Sequence, residues 1–224
     1  MPETPWSAVD RYITDHLVAP DPALDAALEA SAAAGLPPIN VTPNQGKFLH
    51  LLARIQGART ILEIGTLGGY STIWLARALP AGGRLVTLES DPKHAAVARG
   101  NFARAGLSGT IELREGRALD TLPRMASERM GPFDFVFIDA DKASIPEYFE
   151  WALKLARPGS VLLVDNVVRG GAVVDAASSD PSVQGVRRFN EVLASDPRVS
   201  ATTLQTVGSK GYDGFTLAVV RAAG

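Results

Sequence analysis

A chain of 224 residues with 46% hydrophobic and 21% charged residues has the makeup of a folded globular protein, which excludes a disordered or fibrous one. Its 22 basic and 24 acidic residues leave a formal charge of −2, so no overall field favours nucleic acid or an anionic membrane surface, and neither is expected as a partner. The absence of cysteine removes disulfides, thiolate metal ligands and a cysteine nucleophile together, leaving oxygen or imidazole to hold any metal.

Met1-Pro2-Glu3-Thr4-Pro5 carries no basic segment and no apolar run follows it, so no targeting signal is expected. No stretch approaches the roughly 18 apolar residues of a membrane span, and the expected location is cytoplasmic. Trp6, Val9, Ile13 and Leu17 recur at helical spacing, and residues 23–34 favour helix by propensity until Gly35 and Pro37-Pro38 stop it. A third helix is predicted over 43–56, with Thr42 as N-cap, Pro43 at its first position, Gln45 supplying a partial capping pattern, and Phe48, Leu51, Leu52 and Ile55 as its apolar face. Residues 1–57 thus read as a helical extension of one domain spanning 1–224.

Beyond residue 60 the pattern changes. Strands are predicted at 60–64, 84–88, 110–113, 134–138 and 160–164, with helices near 70–79, 92–105, 117–129 and 146–156. Such alternation predicts right-handed βαβ units and a doubly wound, mostly parallel sheet covered on both faces. A Gly/Ser-rich stretch, 169–182, reads as a flexible lid before a helix near 183–195. The runs 199–206 and 214–220 have no helix between them, so they should pair antiparallel across a loop at 207–213 and close the sheet with a hairpin.

The first strand runs into Glu63-Ile64-Gly65-Thr66-Leu67-Gly68-Gly69-Tyr70-Ser71, which places glycines where a doubly wound sheet binds its ligand. Their spacing is not G-x-G-x-x-G, so the loop permits close approach of a ligand without reproducing a diphosphate cradle. Glu89 ends the second strand at the place where an acidic side chain takes two ribose hydroxyls as donors. Each feature alone also fits an empty turn or a solvated carboxylate; together they favour a nucleoside. The fourth strand ends in Asp139-Ala140-Asp141-Lys142 and the fifth in Asp165-Asn166, so Asp139, Asp165 and Asn166 can converge as a hard oxygen site of the kind Mg²⁺ accepts. Zinc fits less well, since His16, His50 and His94 lie away from these motifs.

These segments, with Val41-Thr42-Pro43-Asn44-Gln45-Gly46, Arg157-Pro158-Gly159 and Val164-Asp165-Asn166-Val167, resemble the metal-dependent class I O-methyltransferases, the caffeoyl-CoA and catechol O-methyltransferase group. The resemblance covers about residues 40–220. It implies a seven-stranded Rossmann-like sheet, S-adenosylmethionine as methyl donor, and Mg²⁺ (or Mn²⁺ or Ca²⁺) held by Asp139, Asp165 and Asn166. It further implies that Val41, Glu63, Gly65 and Ser71 serve the cofactor's methionine end, Glu89 its ribose and Ala118 its adenine edge, with Asp139 at the junction of cofactor and metal. Lys142 is implied to stand near the reacting hydroxyl, as base or as electrostatic stabiliser. The implied acceptor is a small phenol, and the implied assembly a homodimer.

Two departures lie near the acceptor: Ile145 where the family usually has tyrosine, and Val167-Val168-Arg169-Gly170-Gly171 where it carries a tryptophan. A non-catalytic S-adenosylmethionine-binding module is the alternative, disfavoured because all three metal ligands are present. A nicotinamide-dependent dehydrogenase is less favoured still, given the glycine spacing and the absence of a plausible proton donor.

Overall fold

The computed structural model describes residues 4–222. The reading of Met1–Glu3 as free of a targeting signal lies outside them. In chain order the elements are α1 (Pro5–Leu17), α2 (Pro22–Ala33), α3 (Pro43–Ile55), β1 (Thr60–Ile64), α4 (Tyr70–Ala76), β2 (Arg84–Glu89), α5 (Pro92–Arg104), β3 (Ile111–Glu115), α6 (Ala118–Ser127), β4 (Phe133–Ile138), α7 (Ile145–Leu155), β5 (Ala156–Asp165), α8 (Pro181–Ser195), β6 (Val199–Gly208) and β7 (Gly211–Val220). One local signature opens α1, α2, α3, α5 and α8: Thr or Asp as N-cap followed by proline, the cap oxygen accepting first-turn N–H groups and the proline costing no needed donor.

The sheet order is β3-β2-β1-β4-β5-β7-β6. The first five strands pair in parallel, β7 pairs antiparallel with β5, and β6 pairs antiparallel with β7. This is the expected doubly wound sheet with its C-terminal hairpin. Side-chain alternation sends Leu62, Ile64, Val136 and Ile138 toward Leu122, Phe149 and Phe189 of α6, α7 and α8. Ile61, Phe135 and Phe137 face Leu49, Trp74 and Phe102 of α3, α4 and α5. Glu63 shares the second face and is fully buried there. Asp134 pins the opposite end of the sheet, accepting from Arg59 N (2.8 Å), Thr60 N (3.0 Å) and Arg157 Nε (2.9 Å).

Some local expectations are corrected. Of the expected face of α3, Phe48 and Leu52 pack against the core, but Leu51 and Ile55 are 47% and 82% exposed, and the fully inward residues are Gly46, Leu49 and Ala53, because α3 packs along α4 through its small residues. The hairpin strands run on to Gly208 and from Gly211, so Ser209-Lys210 is the turn and the wider loop at 207–213 is absent. Within the 169–182 stretch Arg169–Val174 forms a 3₁₀ turn, Arg187 Nη1 donates to the Val173 carbonyl (2.7 Å) and Gln184 Nε2 to that of Ser178 (2.6 Å), and α8 begins at Pro181, two residues earlier than expected. No helix among the described residues is long and apolar enough to cross a membrane.

Candidate active site

The strand ends after β1, β2, β4 and β5 open into one cavity of about 700 Å³, a size suited to a small molecule. Val41, Gly65, Ser71, Glu89 and Ala118 line one part of it, and Asp139, Lys142 and Asn166 another. Glu63 and Asp165 stand behind this wall, buried, each bonded to a lining residue.

Gly65 has φ +99°, and a Cβ there would come within 2.1 Å of the Asp139 carbonyl oxygen, so only glycine lets β1 and β4 end this close together. Glu89 organises the loop that follows. Its Oε2 accepts from Thr66 N (3.2 Å) and Leu67 N (2.7 Å), and its Oε1 from Asp91 N (2.9 Å). A carboxylate has about four acceptor sites, so capacity remains for a donor arriving from the cavity. Behind the loop, Glu63 accepts the hydroxyls of Ser71 (2.7 Å), Thr87 (2.7 Å) and Thr72. Burial pushes its carboxyl up to about 7, against the lowering effect of those hydroxyls. Glu63 thereby fixes the rotamer of Ser71, which faces the cavity.

On the other side, Asp139 follows β4, and Asp165 ends β5. Asn166 takes φ +56°, a left-handed conformation that asparagine tolerates better than most residues. Burial, and next the Asp139 charge, raise the Asp165 carboxyl above the usual carboxylate range. Lys142 Nζ donates to Asp139 Oδ1 (2.7 Å), and Gln45 Nε2 to Asp165 Oδ2 (2.5 Å). Two neighbouring carboxylates with an adjacent amide carbonyl are hard donors whose mutual repulsion a divalent cation would relieve, so this set fits Mg²⁺ or a similar ion. The pairing of Lys142 with Asp139 leaves Asp141 to Ser144 N (3.0 Å) and the Tyr148 hydroxyl. A Cβ on Gly185 would meet the Lys142 carbonyl oxygen at 2.1 Å, so α8 packs directly on the turn that carries the lysine.

Sequence reasoning missed three residues here. Gln45 read as part of a helix cap, and nothing in its local pattern points to a partner 120 residues away. Tyr148 lies one helical turn past the fully buried Ile145 and puts its hydroxyl on Asp141 at the cavity wall. Arg169 was visible only as a departure; it lines the cavity.

An O-methyltransferase family model matches residues 15–220. A catechol O-methyltransferase of Niastella koreensis is 56% identical over 216 residues, covering 96% of this chain and 98% of that protein. One of Mycobacterium tuberculosis is 55% identical over 213 residues, covering 95% of each. Among solved structures, an O-methyltransferase from Bacillus cereus in complex with SAH is 62% identical with a TM-score of 0.95, covering 96% of this chain and 98% of that one. The O-methyltransferase TomG from Streptomyces achromogenes, in complex with SAM, is 55% identical with a TM-score of 0.95, covering 99% of this chain and 100% of that one.

Proposed function

The chain belongs to the O-methyltransferase family, whose members here transfer a methyl group from S-adenosylmethionine, and from that premise we propose that it methylates one hydroxyl of a catechol-type or caffeoyl-type ring at a divalent cation, Mg²⁺ (or Mn²⁺ or Ca²⁺). The observation that carries this reading is one cavity wall shared by Gly65, Glu89, Asp139 and Asn166, with Asp165 buried behind it and accepting from Asn166 N. The names of the two catechol O-methyltransferases above support the acceptor class.

S-adenosylmethionine supplies a methyl group on a sulfonium, and its transfer to oxygen is an in-line displacement. The chain's task is therefore alignment, which contributes up to about 7–11 kcal/mol when reacting atoms are held at near-attack distance. Val41, Gly65, Ser71, Glu89 and Ala118 would hold the donor, with Glu63 orienting Ser71. Asp139, Asp165 and Asn166 would hold the cation, which when bound lowers the pKa of a coordinated phenolic oxygen. Gln45 keeps the Asp165 carboxylate turned to its place. Lys142, buried beside Asp139, either accepts the phenolic proton or stays charged and steadies the phenolate.

A homodimer belongs to the same reading. Trp6, Val9 and Tyr12 of α1, Leu51 and Ile55 of α3, and Leu204 and Val207 of β6 are large, apolar and more than 40% exposed. The three elements are tied together, Asn44 Nδ2 donating to the Asp10 carbonyl (3.1 Å) and Ser209 N to Asp10 Oδ2 (2.7 Å), and exposed apolar side chains on elements so joined are of the kind that subunit contacts cover.

The test is methylation of a catechol by enzyme stripped with EDTA and gel-filtered, before and after Mg²⁺ is restored. Activity should vanish and return, and Asp165→Ala should abolish it while S-adenosylhomocysteine affinity stays within threefold, about 0.7 kcal/mol. Full activity in enzyme shown metal-free by elemental analysis, or equal turnover of matched mono-phenols, refutes the reading.

A further inference from the structure

Arg169 occupies the acceptor half of the cavity. The residues assigned to the cofactor follow β1, β2 and β3, and the oxygen donors follow β4 and β5; the order β3-β2-β1-β4-β5-β7 therefore puts the segment after Asn166 on the far side of the donors from the cofactor. Arg169 begins the short turn there and lines the cavity. Its backbone is fixed: φ is +56°, an uncommon value for a non-glycine residue, and Asp213 Oδ1 accepts from both Val168 N (2.9 Å) and Arg169 N (3.0 Å). The guanidinium is thus carried on a rigid mount that β7 supplies.

Its charge has no answer within the described residues. Arg169 Nε is buried without a hydrogen-bond partner, and no carboxylate among them lies in ion-pair range of its guanidinium. Asp139 Oδ1 takes Lys142, Asp165 Oδ2 takes Gln45, and Asp213 Oδ1 takes three backbone N–H groups, none of them the Arg169 guanidinium. A cation that lines a ligand cavity without an ion-pair partner among the described residues calls for a counter-charge from outside, and a planar guanidinium matches a carboxylate through paired N–H bonds.

We propose that Arg169 selects the methyl acceptor by its charge, so that the preferred substrate is an ortho-diphenol bearing a carboxylate. The inference rests on the reading of this site as one that holds a diphenol at a divalent cation. A neutral diphenol offers the guanidinium no counter-charge, whereas an anionic one supplies it.

Two compounds of nearly equal size test this, 3,4-dihydroxybenzoate and 3,4-dihydroxybenzamide, with Mg²⁺ and saturating S-adenosylmethionine. The wild type should favour the acid at least tenfold in kcat/KM, chiefly through KM. Arg169→Met should bring the two within threefold of each other. Arg169→Lys, a point charge in place of a fork, should keep part of the preference. Equal kcat/KM for acid and amide in the wild type overturns the proposal even if no variant folds, and so does a folded Arg169→Met that keeps the preference. Equal but Mg²⁺-dependent turnover sinks the role of Arg169 alone. Absence of Mg²⁺-dependent turnover with either diphenol overturns this proposal together with the reading beneath it.

Discussion

Replacing Glu89 by alanine perturbs two things at once, and the structure separates them. The carboxylate holds the glycine loop through Thr66 N and Leu67 N and the start of α5 through Asp91 N. Thr66 is buried, so losing its acceptor leaves an unsatisfied N–H at a cost of about 1–3 kcal/mol, while the partly exposed Leu67 and Asp91 turn to water. The ribose loses its charged acceptor as well, about 1.5–3 kcal/mol, or roughly ten- to 150-fold in the dissociation constant. Glu89→Gln keeps one carbonyl oxygen for the loop N–H groups but no charge for the ribose. Calorimetric titration with S-adenosylhomocysteine, beside thermal melts, should therefore show Glu89→Ala losing both affinity and stability. Glu89→Gln should lose affinity with a smaller fall in melting temperature. An unchanged dissociation constant in Glu89→Ala refutes the ribose assignment; full affinity in Glu89→Gln with loss in Glu89→Ala makes Glu89 a brace for the loop and no more.

Two further outcomes follow from the same geometry. Because the Glu63 carboxyl is raised from 4.5 to about 7 in the fold, the native state binds its proton more tightly than the unfolded chain, and this group's contribution to stability falls as pH rises from about 4.5 through 7. Urea titrations at pH 5 and pH 8 with EDTA present should show a wild-type decline that Glu63→Gln lacks, and parallel behaviour of the two proteins would contradict the burial argument. Sedimentation equilibrium at micromolar concentration should give twice the chain mass for the wild type and the single-chain mass for Ile55→Asp, whose side chain is 82% exposed on α3; a monomeric wild type rules out the homodimer.

What the sequence made legible was local in origin. The Thr-Pro and Asp-Pro openings at Thr42-Pro43 and Asp91-Pro92 declare their helices because cap and first turn are made within four residues. Thr4-Pro5, Asp21-Pro22 and Asp180-Pro181 carry the same signal. The strand-end motifs pointed to one candidate cavity because parallel strands deliver their carboxyl ends to one edge whatever their order along the chain. The apolar face of α3 was half right, through Phe48 and Leu52, and its other half misled for a physical reason: periodicity reports which residues are apolar, and here an outward strip at Leu51 and Ile55 competes with an inward strip of Gly46, Leu49 and Ala53 that close packing made small. A Cβ on Gly46 would lie 2.3 Å from the Trp74 ring, and no count of apolar residues registers a contact made by an absent side chain. Gln45 and Arg169 acquired their places from contacts across the whole fold.

The position of Gln45 ties the helical extension to the chemistry. Thr42 caps α3 by accepting from Gln45 N (3.2 Å), so the first turn of α3 is formed at the residue whose side chain reaches Asp165. One residue earlier, Asn44 binds the Asp10 carbonyl of α1, and Asp10 in turn takes Ser209 N at the hairpin turn. The turn of α3 that aims Gln45 is thus clamped between α1 and the β6–β7 hairpin, the elements that also carry the exposed apolar residues. A subunit pressed onto that surface would hold the clamp closed. The carboxylate pair needs such a brace, because Asp139 and Asp165 repel each other, and without Gln45 the buried Asp165 oxygen would have neither a donor nor water to face. One short segment, 42–45, therefore joins α1 and the hairpin to Asp165, which ties the helical extension outside the parallel sheet to the candidate site.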